Sequence, residues 1–278
     1  MISVEFNDVT IQINDFKIKN LNVKLPKGKT LGIVGRNGSG KTTIIKAIAG
    51  VYEILSGDII INGQNRYIDE VDYLKEIGIV NDIGLFNYMI KPKLINKMLK
   101  KSYSHFDEDF FKKYLEDFDI DFDKRLHKMS QGERKKVNII SVLSLNPNVL
   151  ILDEPMANID PISKVEITEL LENYLKQGNT IIYSTNQTDE LDRIADYLLF
   201  LEKGKVILDG SKMSIFNSHF IIDIKEEELD DVRKNIIGLR KNDYGYEALT
   251  NIESFVKDNK YTYRVPKIED IMFYYIKG

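Results

Sequence analysis

The sequence predicts an α/β fold in which a mostly parallel sheet carries helices on its faces. Three observations predict it. The apolar run Leu31-Gly32-Ile33-Val34 passes through the loop Gly35-Arg36-Asn37-Gly38-Ser39-Gly40-Lys41-Thr42-Thr43 into the helix-like Ile44-Ile45-Lys46-Ala47-Ile48-Ala49, the strand, loop and helix order that a phosphate-binding loop requires. A second apolar run, Val149-Leu150-Ile151-Leu152, ends in the paired acids Asp153 and Glu154. A third, at 180–184, follows after a helical stretch at 162–176 and a Gly178-Asn179 turn; strand, helix and strand at this spacing favour parallel pairing.

The remaining elements follow along the chain. Residues 2–13 and 16–25 alternate apolar and polar side chains, as antiparallel strands do, around an Asn14-Asp15 turn. Pro26-Lys27-Gly28 closes this portion before the buried strand at 31–34. Ser56-Gly57-Asp58 reads as a glycine turn before the strand Ile59-Ile60-Ile61, and Asn62-Gly63 is a strong turn signal. Ile77-Gly78-Ile79-Val80 is another short strand. From about 86 to 146 the pattern changes to lysine-rich amphipathic helices, broken by Pro92 and by the polar segment at 101–105, which predicts a helical insertion. Strands at 198–202 and 205–208 flank Glu202-Lys203-Gly204 as a hairpin. Beyond about 217 a shorter unit is expected, with a strand at 219–224, helices at 228–239 and 248–256, and a last helix at 268–276.

Composition bounds the function. The 278 residues are 43% hydrophobic, enough for a substantial core. Cysteine is absent, which excludes disulfides, thiolate metal sites and cysteine catalysis and fits a reducing compartment. A formal charge of −4, from 39 basic and 43 acidic residues, gives no broad electrostatic case for nucleic-acid binding. The cluster Arg134-Lys135-Lys136 reads as a solvated helix face or as a polyanion patch, and the acidic stretches at 107–109 and 226–228 as ordinary surface. The alternation of Ile2, Val4 and Phe6 reads as a strand rather than a signal peptide. No run approaches the about 18 apolar residues of a membrane-spanning helix, so membrane residence is expected to come through a partner.

The loop chemistry is specific. Glycines at 35, 38 and 40 let successive backbone N–H groups approach phosphate oxygens, and the following helix adds unpaired N–H groups and a favourable dipole. Asn37 and Ser39 lie in the same loop; Lys41 is expected to reach the β- and γ-phosphates, Thr42 to hold Mg²⁺ and Thr43 to support the first helical turn. Burial of the strand at 149–152 fixes Asp153 and Glu154 at the sheet edge from which the phosphate loop emerges. Asp153 suits Mg²⁺ coordination through water, and Glu154 suits orienting or deprotonating an attacking water.

Over roughly residues 1–215 the chain resembles the ATP-binding subunits of ATP-binding-cassette transporters. Met129-Ser130-Gln131-Gly132-Glu133-Arg134 matches that family's signature loop Leu-Ser-Gly-Gly-Gln-Arg, with substitutions at its first, third and fifth positions. The resemblance implies that this loop, with Ser130 and Gly132 carrying the match, closes over ATP held by an opposing subunit. Asp160 falls at the D-loop aspartate that communicates between two ATP sites, and also reads as a cap for the helix that Pro161 starts. Asp82 stands where the family usually has a glutamine joining Mg²⁺ or the attacking water to the transporter-coupling region; it keeps an oxygen ligand and loses the amide donor. Asn186 stands where members usually have a switch histidine; it cannot become a cation but can donate a hydrogen bond. The histidines, at 105, 127 and 219, fall elsewhere and read as surface or helix residues. The adenine-stacking aromatic falls near 13–16, where Phe16 offers a π-face or serves as a core residue.

The resemblance therefore implies a P-loop NTPase core of the cassette type over 1–217, with an antiparallel N-terminal portion and a helical subdomain at about 86–146, followed by a small α/β extension at 218–278. It implies a Mg²⁺-dependent ATPase that pairs head to tail with a second copy and powers separate membrane-spanning permease subunits from the cytoplasmic face of the membrane, with no nucleic acid involved. The segment Pro266-Lys267-Ile268-Glu269-Asp270-Ile271-Met272 is similar to the tails of export-type members, which makes export the expected direction. The competing expectation, motivated by Asn186, is a regulatory or assembly ATPase of low turnover with no cargo.

Overall fold

Alternating apolar side chains build the first layer. The computed structural model describes residues 1–243, 245–258 and 261–277; Tyr244, Asn259, Lys260 and Gly278, all in the expected extension, lie outside the described residues. β1 (Ile2–Ile13) and β2 (Phe16–Pro26) pair antiparallel around Asn14, which sits at φ 50°. Val4, Phe6, Ile11, Ile18 and Leu21 from these strands are buried. β3 (Thr30–Gly35) is buried along its whole length and leads into α1 (Lys41–Ile48). β4 (Ile54–Ile61) returns to pair with β1, and Asn62-Gly63, both at positive φ, turns the chain into β5 (Gln64–Asn65). Ser56-Gly57 thus lies inside β4 rather than in a turn before it, and Asp8 and Val9 of β1 bulge opposite Gly57. The register against β1 shifts there, and a Cβ on Gly57 would collide with the carbonyl oxygens of Asn7 and Asp8.

α2 (Glu70–Lys75) precedes β6 (Ile77–Val80). The expected helical insertion contains α3 (Pro92–Ser102), α4 (Glu108–Asp117) and α5 (Gln131–Leu143). Pro92 opens α3 instead of breaking a helix, because the first turn needs no N–H from it. Then come β7 (Val149–Asp153), α6 (Pro161–Lys176), β8 (Thr180–Thr185), α7 (Thr188–Ile194), β9 (Tyr197–Glu202) and β10 (Lys205–Ser211).

Among the described residues these strands form two sheets, ordered β2-β1-β4-β5 and β10-β9-β3-β8-β7-β6. The second is parallel except for the β9–β10 hairpin. Period-two alternation gives it two apolar faces. Ile33, Ile151, Ile182 and Leu199 pack with α1 and the antiparallel sheet, whereas Val34, Leu152, Tyr183 and Phe200 pack with α5, α6 and the helical insertion.

The C-terminal segment differs most from expectation. After α8 (Lys212–Asn217) and β11 (Phe220–Ile224), α9 (Leu229–Val232) is one turn long, and the chain then forms β12 (Gly238–Asn242) and β13 (Gly245–Thr250), which replace the end of the first expected helix at 238–239 and the start of the second at 248–250. α10 (Glu253–Asp258), β14 (Tyr263–Arg264) and α11 (Ile268–Lys277) complete it. Ala248 and Leu249 pair on both sides, with β11 and with β12, and this cross-strand pairing overrides their local helical pattern. Ile221 and Leu249 face the main core together with Ile268 and Ile271 of α11, while Ile222 and Ala248 enclose a small core of their own.

One buried cation positions α1. The Arg66 guanidinium, with a side chain only 4% exposed, donates to the carbonyls of Ala47 at 3.0 Å, Tyr52 at 2.9 Å and Gly50 at 3.2 Å, and pairs with Glu53 at 3.1 Å. Ala47 lies in the last turn of α1 and Gly50 and Tyr52 follow it, so the guanidinium secures the C-terminal end of the helix that the phosphate loop starts. Arg66→Met should therefore cost roughly 2–3 kcal/mol by leaving buried acceptors unpaired. Urea unfolding followed by circular dichroism should show a lower midpoint with an unchanged slope.

Candidate active site

Parallel register assembles the site. Val34 pairs with Thr185 and Asp153 with Ser184, so the Gly35 loop, the Asp153-Glu154 pair and Asn186 leave the carboxyl ends of adjacent strands together. Gly38 and Gly40 take φ of 80° and 117°, a region costly for other residues. A Cβ on Gly40 would press on Phe16 Cζ at 3.0 Å. The helix start has no side-chain cap, leaving its first N–H groups open to an anion.

Lys41 is almost fully buried; its Nζ donates to Gly35 O at 2.8 Å and stands 3.5 Å from Glu154 Oε1. Ser39 Oγ is buried in the same loop without a partner among the described residues, which leaves it able to hydrogen-bond a ligand's oxygens. Thr42 Oγ1 donates to Asp153 Oδ2 at 2.9 Å, and Ser184 Oγ donates to Asp153 Oδ1. Thr42 and Asp153 thus bring two hard oxygen donors together and could hold a divalent cation that takes its other ligands from water and phosphate.

Glu154 adopts φ 48°. Its N–H donates to Ser184 O at 3.0 Å, and its Oε2 lies 3.3 Å from both Thr185 Oγ1 and the Asn186 N–H. Burial pushes its carboxyl above the usual carboxylate range, opposed chiefly by the Lys41 charge. A carboxylate raised in this way is a better proton acceptor near neutrality. Asn186 is exposed, and its amide donates to Asn37 Oδ1 at 3.3 Å across the loop.

A cavity of about 450 Å³ is lined by Phe16, Asn37, Lys41, Thr42, Thr43 and Glu154, with Ile13 and Tyr52 at its side. Phe16 packs against Gly40 and its half-buried ring also lines this cavity. Tyr52 was not found from the sequence; its signal is an aromatic one turn past the helix that begins at Lys41. An adjoining cavity of about 660 Å³ is bounded by Gly35, Arg36, Asn186, Gln187 and Met272, which brings α11 to the loop's edge.

A model of the ABC transporter family matches residues 18–157. The chain belongs to the ATP-binding subunits of the ABC transporter family. It is an ATPase. It is similar to the energy-coupling factor transporter ATP-binding protein EcfA of Methanococcus maripaludis, at 28% identity over 92% of this chain and 96% of that protein. The lantibiotic transport ATP-binding protein SrtF of Streptococcus pyogenes is 30% identical over 74% of this chain and 92% of its own length. Among solved structures, cbiO1 from Clostridium perfringens, described as part of the ABC transporter complex cbiONQ, matches with a TM-score of 0.67 and 28% identity over 84% of this chain and 95% of that one.

The structure of this ABC ATPase gathers its signature residues into a second cluster, which does not line the cavities beside the phosphate loop. Ser130 caps α5 in a capping box: its Oγ accepts from Glu133 N at 3.1 Å and its N–H donates to Glu133 Oε2 at 2.5 Å. Glu133, the fifth-position substitution, thus stiffens the loop. A Cβ on Gly132 would collide with Ser163 Oγ and approach Asp160 Oδ2 at 3.1 Å, so glycine is required where α5 meets the start of α6. Asp160 caps α6 by accepting from Ser163 N at 2.9 Å.

Asp82 does not line either cavity beside the phosphate loop; its Oδ1 accepts from Lys135 Nζ at 2.8 Å, and its side chain is 59% exposed. Lys135 and Lys136 are buried and paired, with Asp82 and Glu166, and form neither a solvated face nor a polyanion patch. His219 is also buried, against Ile215 O at 2.8 Å and Tyr275 Oη at 2.8 Å, rather than at the surface.

The raised carboxyl of Glu154 generates a pH prediction. A base must be ionised to work, so kcat for ATP should fall as pH drops through the folded pKa of Glu154, which lies above the ordinary glutamate value. Steady-state ATP turnover from pH 5 to 8 should show that acid limb, and Glu154→Gln should abolish turnover at every pH while ATP affinity, measured by calorimetry, persists.

Proposed function

We propose that two copies of this ATPase hold Mg²⁺-ATP between them head to tail and power transport through separate membrane-spanning subunits at the cytoplasmic face of the membrane. In each half-site Gly35, Asn37, Gly38, Ser39, Gly40, Lys41, Thr42 and Thr43 bind the phosphates, Phe16 flanks the adenine, Thr42 and Asp153 serve the metal, and Glu154 positions the water. Ser130, Gly132 and Asp160 come from the opposing copy, and Asn186 donates its amide beside the γ-phosphate. Magnesium supplies charge neutralisation on the phosphate oxygens when bound. The reading is carried by one observation: the exposed, capped start of α5 is a rigid set of donors lying outside the cavity it would complete.

Residues 1–217 act in this reading as the cassette and 218–278 as a separate extension, supported by the small apolar core around Ile222 and Ala248. A docking face for the membrane subunits is supported by exposed apolar side chains on both sides of Asp82: Ile68, Val71, Ile83, Tyr88, Met89 and Met98. For the kind of transport, we favour an energy-coupling assembly. The similarity to EcfA leaves out fewer residues than the extension contains, so it runs into the extension, whereas the similarity to SrtF leaves a quarter of this chain unmatched. Export, suggested by the tail at 266–272, is the second reading.

Purification of the tagged chain from its native membrane in mild detergent should recover hydrophobic subunits, and their identification should separate the two kinds of transport. ATP turnover in that assembly should exceed that of the isolated chain by about tenfold or more. Recovery without any hydrophobic partner, with turnover already maximal, would instead support a regulatory ATPase.

A further inference from the structure

A buried ammonium needs oxygen partners, and Lys135 has two that no sequence motif connects. Its side chain is 5% exposed. Nζ donates to Asp82 Oδ1 at 2.8 Å and to the main-chain oxygen of Glu154 at 2.8 Å. Three parts of the molecule therefore meet at one charge: α5, which begins at Ser130; the loop after β6; and the turn that carries Glu154. Asn138, one turn further along α5, accepts from Leu85 N at 3.2 Å, so the helix grips the loop after β6 at two points.

Glu154 is held from both ends. Its left-handed backbone, at φ 48°, is a conformation that a residue other than glycine keeps when its surroundings fix it. The carboxylate faces Lys41 at 3.5 Å, and the carbonyl faces Lys135 at 2.8 Å. Lys135 lines neither cavity beside the phosphate loop. We propose that Lys135 is a positioning residue for hydrolysis: it fixes the backbone that aims the Glu154 carboxylate, and through Asp82 it makes that aim depend on the loop after β6. The proposal rests on the reading of Glu154 as the residue that positions water. Asp82 is exposed enough for a partner pressing on that loop to draw its carboxylate off Lys135, which would loosen Glu154 without touching the phosphate loop.

The test measures ATP turnover and, separately, ATP affinity by calorimetry for the full chain and its Lys135→Met, Asp82→Asn and doubly substituted forms. Lys135→Met should lower kcat at least about tenfold with Kd and KM for ATP within about twofold, because the lost interaction acts on chemistry and not on binding. Asp82→Asn should lower kcat about threefold, and the double variant should be no slower than Lys135→Met alone, since Asp82 acts through Lys135. Unchanged kcat in Lys135→Met, a loss explained by weaker ATP binding, or fully additive losses would each overturn the proposal. If Lys135→Met does not fold by circular dichroism, Asp82→Asn decides: a slower kcat at unchanged affinity supports the role and an unchanged kcat removes it. Glu154→Gln separates the two ideas. Full turnover in that variant defeats the reading of Glu154 itself, whereas an inactive Glu154→Gln beside a fully active Lys135→Met defeats the role of Lys135 alone.

Discussion

Parallel pairing of β3, β8 and β7 holds the phosphate loop and the acid pair at one edge, and the rest of the site depends on it. The strands are buried along their lengths, so their backbone groups must stay paired and their ends cannot drift. A slip of one residue would exchange the two apolar faces and swing Asp153 away from Thr42. With the register fixed, short local bonds finish the arrangement: Thr42 to Asp153, Ser184 to Asp153, and the Glu154 N–H to Ser184 O. Arg66 serves the same end from behind, by tying down the far end of α1.

Electrostatics then sets what the edge can do. Lys41 has little solvent and leans on a carbonyl and on Glu154, so an arriving polyphosphate meets a cation whose present partners are a dipole and an acid of raised pKa. Asn186 brings no titratable group; it contributes a main-chain N–H to Glu154 and an amide to Asn37. Beside Glu154, Asn186 thus supplies neutral donors and no cation. Tuning of Glu154 falls to Lys41 on its carboxylate and, in our proposal, to Lys135 on its carbonyl. The substitution at Asp82 makes physical sense in the same frame, because an acid there gives Lys135 an anionic partner that a glutamine would not.

The parts that were legible in the sequence are those whose cause is local. Gly38, Gly40 and Lys41 announce a turn and a cation at fixed spacing, and the run ending at Asp153 announces a buried strand with acids at its end; both stand where they were expected. Ala248 to Thr250 reads as helix in the sequence because its strand character comes from neighbours on both sides, which one segment cannot reveal. Gly57 reads as a turn in the sequence because a register shift exists only relative to the strand beside it. Lys135 lay in a basic run that looked solvated; its burial follows from the loop at 81–85 lying across α5, a long-range contact. Ser130 and the phosphate loop lie apart within one chain, and a sequence carries no mark of which copy completes which site.

We propose that the catalytic site is shared between two copies. The most direct measurement is a crystal structure of Glu154→Gln grown with ATP and Mg²⁺. The account predicts a metal about 2.1 Å from Thr42 Oγ1, phosphates wrapped by Gly35 to Thr43, and Ser130 of a second copy hydrogen-bonded to the γ-phosphate. Nucleotide bound in that loop with Ser130 of every copy left in solvent, or nucleotide bound elsewhere, would contradict it.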